Sequence, residues 1–371
     1  MPIGSKKIHC FGLDISDSSV KIMLLQQTGK LIRPLAFNAA IFPRGLVTKD
    51  EIREPEKLSG IIRQAIENAK PHRFSQTHVI ASLPESKSFI RLFDLPPMRE
   101  SELPAAVKWE AEQHIPLSID QVEMDWQTLN PPDKPVRLPL FSKKAAPREH
   151  GWQVFMTAAP KDVINPIVSV LKQAKLQPVA LESESIAIAR SCISADLQKQ
   201  TVLLVDVGTN RTGLTMVNNN VINFTSSISL AGLNISQKIM ERTGLDFDSA
   251  EKAKITHGLN SEKQKPEIKA AIEEALQELA REITNTISYY QEHSSLPDKQ
   301  VDQILLSGGT ARLTGLVDWF ARHNDLPTRL ANPWVNIYHP GSRELPPISS
   351  DDSLSFSAVI GLALRGLNFT I

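Results

Sequence analysis

The chain has 371 residues, 41% of them hydrophobic, so it can bury a substantial core and is too long for one compact pair of layers; two or more domains are expected. Lys plus Arg and Asp plus Glu number 41 each, which removes any bulk electrostatic case for nucleic acid or an anionic membrane as partner. Two cysteines make no disulfide framework, and the nine histidines show no spacing that puts two on one helix face beside other ligands, so neither a stapled secreted scaffold nor a zinc site is expected.

Lys6 and Lys7 are followed by too few apolar residues before Asp14 for a signal peptide. Residues 9–25, HCFGLDISDSSVKIMLL, read as an apolar strand, Asp14, a small polar tip of Ser16, Asp17, Ser18 and Ser19, and a second strand from Val20 to Leu25. Residues 55–69 carry Leu58, Ile61, Ile62, Ala65, Ile66 and Ala69 at helical period, with Pro55 suited to an early helical position. Residues 78–83 (HVIASL) read as a buried strand, so the first 83 residues supply strands and a helix to a first α/β unit.

The character changes at Pro84. An alternating segment with Phe89, Arg91 and Phe93 is followed by Ser101, placed to cap a helix over 103–114 that Ile115 and Pro116 end. Residues 122–129 alternate as a half-exposed strand would, 130–150 hold five prolines and read as a long loop, 152–157 form a strand and 160–174 a helix. This block reads as a small inserted subdomain. A short strand and helix over 177–190 then lead to a second hairpin.

That second hairpin, residues 201–217 (TVLLVDVGTNRTGLTMV), repeats the layout of the first: a continuous apolar run, Asp206 and Gly208 breaking it, a small polar tip, and an apolar return. Such a tip offers clustered amides and hydroxyls to a phosphate, Gly208 permits close approach, and the aspartate can hold a hydrated Mg²⁺. Two matching units half a chain apart predict a duplicated architecture with the tips facing across a cleft.

Beyond it, helices are expected over 232–242, from 249, over 313–322 and over 356–367, with a strand over 301–306 running into Ser307, Gly308, Gly309 and Thr310. The longest helix, 266–293, stripes Ile268, Ile272, Leu276, Leu279, Ile283, Ile287 and Tyr290 along one face, a pattern that packing alone explains. Residues 331–350 read mainly as loop. The apolar run 358–364 is far short of the ~20 residues a spanning helix needs, so any membrane association is expected to go through a partner.

Asp14, Asp206 and ILLSGGTARLTGL (304–316) are similar, in order and spacing, to the two phosphate loops and the adenosine loop of the actin, Hsp70 and sugar kinase superfamily. Within it the chain resembles the PilM family, actin-like cytoplasmic proteins of type IV pilus assembly, on GLDISDSSVK, AAVKWEAEQHIPLSIDQVEMDWQ, PVALESESIAIAR, LLVDVGTNRTGLTMV, GLDFDSAEKAK, ILLSGGTARLTGL, LANPW and GLALRGL. The stretch from Trp109 to Pro116 is the most specific, because it lies in the insertion.

The resemblance implies an α/β actin-like (ribonuclease H-like) duplicated two-lobe ATPase fold with a small inserted α+β subdomain of the kind also found in FtsA. It divides the chain into a first lobe (1–84 and 177–200), the insertion (85–176), and a second lobe (201–240 and 299–371) carrying a further subdomain (241–298). ATP and Mg are the implied cofactors. The implied partner is the cytoplasmic N-terminal tail of a PilN-like inner-membrane protein, with other pilus platform proteins or further copies of the chain beside it.

Residue by residue, the resemblance assigns Asp14 and Asp206 to Mg²⁺, through water. It assigns Ser16, Asp17, Ser18, Ser19 and Lys21 to the first phosphate loop, and Gly208, Thr209 and Asn210 to the second. Gly232, Glu251, Lys254, Gly308, Gly309 and Thr310 go to the nucleoside pocket. A solvated strand residue is the plain alternative for Lys21, and a surface i,i+3 pair for Glu251 and Lys254. Glu184 could orient an attacking water beside Asp206, or simply belong to the lobe connection.

Two positions depart from the pattern. Asp17 stands where the family commonly has Ser or Thr, which sets a carboxylate against phosphate unless metal or Lys21 neutralises it, and Ala231 replaces the first of two glycines. ATP binding with slow or absent turnover is the expectation. A small-molecule kinase and an FtsA-like division or filament protein are the alternatives.

Overall fold

The computed structural model describes residues 8–129, 151–259, 265–294, 299–338, 344–367 and 369. The loop expected over 130–150 lies outside them. The chain divides into two compact units, residues 1–86 with 168–371, and residues 87–167.

In chain order the first unit begins with strands β1 (Phe11–Ile15), β2 (Ser19–Thr28) and β3 (Leu31–Ile41). The small hairpin β4 (Val47–Thr48) and β5 (Glu51–Ile52), helix α1 (Pro55–Glu67), β6 (Lys70–Pro71) and β7 (His78–Leu83) follow. The second unit contributes β8 (Phe89–Leu95), α2 (Leu103–His114), β9 (Val122–Thr128) and β10 (Trp152–Pro160). The division falls inside α3 (Lys161–Gln173). The chain then runs through β11 (Gln177–Ser183), α4 (Glu184–Cys192), β12 (Thr201–Val207), β13 (Thr212–Asn218) and β14 (Val221–Ile228). It closes with α5 (Gly232–Thr243), α6 (Phe247–His257), α7 (Pro266–His293), β15 (Gln303–Ser307), α8 (Leu316–Asn324), β16 (Thr328–Leu330), the single turn α9 (Ser350–Ser353) and α10 (Ser357–Gly366).

The duplication is visible in the sheets. One is ordered β11-β7-β1-β2-β3-β6 and the other β14-β13-β12-β15-β16. Taken from β3 to β11 and from β14 to β16 they share one plan, an antiparallel meander of three strands followed by two parallel additions. In both, the strand that ends in the aspartate is central. Phe11, Leu13 and Val202 to Val205 are buried on both faces, which is why these segments are continuously apolar instead of alternating.

Helices α4 and α10 cross at the base of the two sheets. α4 leaves β11 of the first sheet and reaches β13 and β14 of the second, while α10, which follows the second sheet in the chain, packs on β1, β2 and β7. Gly361 of α10 makes the crossing possible, since a Cβ there would lie 1.7 Å from the Ala187 carbonyl oxygen. Buried Glu182 accepts from Arg190 Nη2 at 2.8 Å and from Arg365 Nη1 at 2.6 Å, tying β11 to both helices.

Unit 87–167 has its own core. Leu103, Val107 and Ala111, one helical turn apart on α2, pack with Val122, Trp152, Val154 and Met156 of the three-stranded sheet β8-β10-β9. Among the described residues no helix is long and apolar enough to cross a membrane.

Several local expectations change. Ser101 does not cap α2; the Glu102 carboxylate instead accepts the Arg99 N–H at 2.9 Å, ordering a short 3-10 turn before the helix. α8 starts at Leu316, not 313, because residues 309–312 form a 3-10 turn and Gly315 adopts φ +84. Strand β3 has only Ala36 fully buried and its pairing with β2 is interrupted by a register shift, so its period is blurred and the hydrophobic pattern did not announce it. On α7 the expected stripe is buried except at Ile287, which is half-buried.

The crossing yields a test. Gly361→Ala places a methyl group into the Ala187 backbone and is expected to cost about 3 kcal/mol. Denaturant unfolding that shows less than about 0.5 kcal/mol change would contradict the close approach.

Candidate functional site

Each tip is built by its own hydrogen bonds. In the first, which joins β1 to β2, Ser16 donates its backbone N–H to the Ser19 carbonyl at 2.9 Å and Ser19 returns its N–H to Ser16 Oγ at 3.1 Å, while Phe42 N–H donates to the Ser18 carbonyl at 3.0 Å. In the second, which joins β12 to β13, Gly208 N–H donates to the Arg211 carbonyl at 3.0 Å, and the Gly208 carbonyl accepts from Gly232 N–H at 3.1 Å and Thr310 Oγ1 at 2.8 Å. Both tips line a single cleft of about 1260 Å³.

Its centre is two aspartates, Asp14 buried and Asp206 half-buried. Asp14 lies across the hairpin register from Lys21, whose ammonium is 3.8 Å from Asp14 Oδ2, while Asp14 Oδ1 is buried with no partner among the described residues. Asp206 is pushed up to about 6, first by burial and further by the charge of Asp14, with Ser307, Arg211 and Lys21 pulling the other way. Glu184, the first residue of α4, is pushed up to about 8 by burial, with Asp14, Asp50 and Asp206 adding to the shift and Arg211 opposing it.

A second set of contacts joins the tips to the opposite wall. Asn210 donates its side-chain amide to Asp17 of the first tip. Arg211 pairs with Asp50 of the β4–β5 hairpin, donates to Glu184 Oε2 at 2.5 Å and lies 3.4 Å from Ser86 Oγ. Burial works against the Arg211 charge, but Glu184 and Asp50 outweigh it and its pKa is raised.

Toward the other end, Gly308 and Gly309 follow β15. Gly308 has φ +88 and sits where a Cβ would meet the Val207 carbonyl oxygen at 2.4 Å, so only glycine fits. Gly309 differs: the nearest atom to an added Cβ is Ser355 Cβ at 3.9 Å, so its bare backbone leaves room beside it in the cleft. Arg312 pairs with Asp352 at 2.5 Å on the same wall, beside Ile348, Leu354 and Phe356.

A family model described as type IV pilus assembly protein PilM matches residues 12–367. The chain belongs to that family. A chain of the solved PilM-PilN type IV pilus biogenesis complex is 24% identical with a TM-score of 0.78, covering 98% of this chain and 99% of that one. The ethanolamine utilization protein EutJ from Carboxydothermus hydrogenoformans is 14% identical with a TM-score of 0.54 over 100% and 91% of the two chains. MreB 5 of Spiroplasma citri, solved bound to AMPPNP, is 13% identical with a TM-score of 0.54 over 97% and 96%. The fold of this PilM-family chain is therefore that of the actin-like ATPases.

The cleft brings together Asp14, Ser16, Asp17, Ser18, Ser19, Lys21, Glu184, Asp206, Gly208, Thr209, Asn210, Gly308 and Gly309. Gly232, Glu251, Lys254 and Thr310 are not among its lining residues. Lys254 is buried and donates to the Gly232 carbonyl at 3.0 Å, Ser236 Oγ at 2.9 Å and Glu251 Oε1 at 2.7 Å, so all three of its protons are taken. Burial lowers its pKa against the pull of Glu251. With Gly232 and Thr310 it forms a strut behind Gly208, buried rather than a surface pair.

The two departures from the family pattern are absorbed locally. The Asp17 carboxylate is held by Asn210 and accepts the Asp50 N–H at 3.4 Å, so it is not left bare toward the cleft. Ala231 is extended at φ −161, a conformation alanine adopts freely.

Sequence reading missed Arg211, Asp50 and Arg312. Arg211 stood inside the quoted hairpin motif and its charge was the available signal. Asp50 gave a weaker one, the Lys49-Asp50 pair between two short β-prone segments, which forms a tight hairpin with φ +51 and +66.

The raised Glu184 value sets a pH dependence. An unfolded Glu titrates near 4.5 and the folded one near 8, so between these values the folded state holds a proton the unfolded chain has released. Stability is therefore full below the lower value and falls as pH rises through the interval. Thermal melts of the wild type are expected to decline from about pH 6 to about pH 8, with a shallower decline for Glu184→Gln; parallel profiles would contradict the assignment.

Proposed function

We propose that this PilM-family chain is a nucleotide-binding scaffold of the type IV pilus assembly platform, which binds ATP with Mg²⁺ between its hairpin tips and the cytoplasmic N-terminal tail of a PilN-like inner-membrane protein elsewhere on its surface. The observation that carries the nucleotide half is Asp14 Oδ1, buried with no partner among the described residues, on a side chain that lines the same cleft as Asp206. An aspartate whose ionisation is opposed by burial and by the neighbouring Asp14 charge, as Asp206 is, is what a hydrated divalent cation relieves.

The residues present fit the group. Asp14 and Asp206 would hold the hydrated Mg²⁺, which supplies charge neutralisation for phosphate oxygens. Lys21 contributes a point charge, Ser16, Ser18, Ser19 and Thr209 contribute hydroxyls, and Gly309 leaves its backbone bare for the nucleoside. Glu184 is the side chain at the start of α4 best placed to accept a proton from water, yet burial keeps it protonated near neutral pH and Arg211 occupies it. A base that is already protonated and already bonded makes turnover slow, so occupancy rather than hydrolysis is the working state.

The partner half follows from the family and from the solved PilM-PilN complex, whose chain matches this one over nearly its full length. A location at the inner face of the inner membrane, reached through that partner, completes the reading.

Calorimetric titration of Mg-ATP is expected to show binding by the wild type and at least about tenfold weaker binding (~1.4 kcal/mol) by Asp206→Asn and by Gly309→Val. No heat with the wild type would defeat the nucleotide half, and rapid steady-state hydrolysis would defeat the scaffold emphasis. For the partner half, a synthetic N-terminal tail of a PilN-like protein is expected to be retained by the immobilised chain, whereas a scrambled tail is not; equal retention of both would refute it.

A further inference from the structure

Arg211 ends the second tip, yet all its side-chain partners lie across the cleft: Asp50 on the β4–β5 hairpin, Ser86 just after β7, and Glu184 at the start of α4. Its guanidinium lines the cleft and is close enough to influence Asp206. The tips and their immediate wall carry the carboxylates of Asp14, Asp17, Asp50 and Asp206, besides the protonated Glu184, against the cations Lys21 and Arg211. A nucleotide's phosphates entering this field need every positive charge it contains.

The three partners of Arg211 are not equally fixed. Glu184 belongs to α4, pinned at the helix crossing, and Ser86 follows a central strand. Asp50 sits on a hairpin whose strands are two residues each; besides Arg211 it is held by Ser86 Oγ, which donates to its carboxylate, and by its own N–H to Asp17 Oδ1 at 3.4 Å, so the guanidinium is its one charged tether. A phosphate offers the same paired oxygens as a carboxylate and more charge, which suits the planar fork of a guanidinium. On the nucleotide reading above, the hydroxyls, Lys21 and the metal would serve the phosphates common to di- and triphosphates, which leaves the terminal phosphate as the group to compete for Arg211.

We propose that Arg211 reads the terminal phosphate of a bound nucleoside triphosphate: its guanidinium exchanges the Asp50 carboxylate for that phosphate, and the β4–β5 hairpin is freed only when the triphosphate is present. This rests on the nucleotide reading above. It makes the hairpin over residues 47–52 the reporter of which nucleotide the cleft holds.

The test compares a non-hydrolysable ATP analogue with ADP, both with Mg²⁺. The wild type is expected to prefer the triphosphate, Arg211→Ala to lose that preference, and Asp50→Asn, which leaves the arginine in place without its competitor, to increase it. Hydrogen exchange over residues 47–52 is expected to be slow in the free and ADP-bound wild type, fast with the triphosphate analogue, and fast throughout in Arg211→Ala. A wild type that binds both nucleotides equally, an Arg211→Ala variant that keeps the preference, or a hairpin whose exchange ignores the triphosphate overturns the inference alone. A wild type that binds neither nucleotide overturns the nucleotide reading itself.

Discussion

Two aspartates at equivalent strand ends, one buried and one half-buried within reach of its charge, are the constraint around which the molecule is arranged. An ionised carboxylate in such a place is costly unless paired, and this pair has one lysine between two acids. The cost is borne because β1 and β12 are the central strands of their sheets, each with a parallel neighbour on one side and an antiparallel return on the other. The strands cannot yield without unzipping a sheet. What remains adjustable is chemistry: a proton on Asp206, the ammonium of Lys21, or a cation brought in from solution.

The contacts that hold the two sheets in one another's presence fall into two kinds. At the base, backbone approaches backbone at Gly361, and Glu182 is sealed between two arginines, so separation there would expose a buried charge. At the mouth the contacts run between side chains: Asn210 to Asp17, Arg211 to Asp50, and Arg44 with its guanidinium 4.0 Å over the Phe247 ring. Side-chain contacts can be exchanged for a ligand's groups at modest cost, whereas a packed crossing cannot. A packed base with exchangeable clasps at the mouth is what this distribution of interactions amounts to.

The duplicated hairpins were readable because their chemistry is local. A strand buried on both faces, an aspartate and a run of small polar residues each follow from the same few neighbours in sequence, and α7 announced itself by period alone. β3 was not readable, being half-exposed and irregularly paired. The site was legible where a motif lies along one segment and opaque where it is assembled from several. Asp50, Glu184 and Arg211 lie far apart in sequence and become one ion cluster only through the fold. Lys254 shows the converse: its place in the order was legible, but its three acceptors, Gly232, Ser236 and Glu251, are gathered around it only by the fold.

Unit 87–167 closes its own core, with Trp152 donating its indole N–H to the Met98 carbonyl at 3.0 Å and α2 burying one face while leaving Trp109 63% exposed on another. A module that satisfies its own hydrophobic and polar requirements tolerates changes on its surface without disturbing the carboxylates in the other unit. Any link between a tail bound to this family member and the nucleotide in its cleft must therefore be thermodynamic. The tail responds to the nucleotide by the factor with which its affinity differs between the two states of the cleft, and the nucleotide responds to the tail by that same factor.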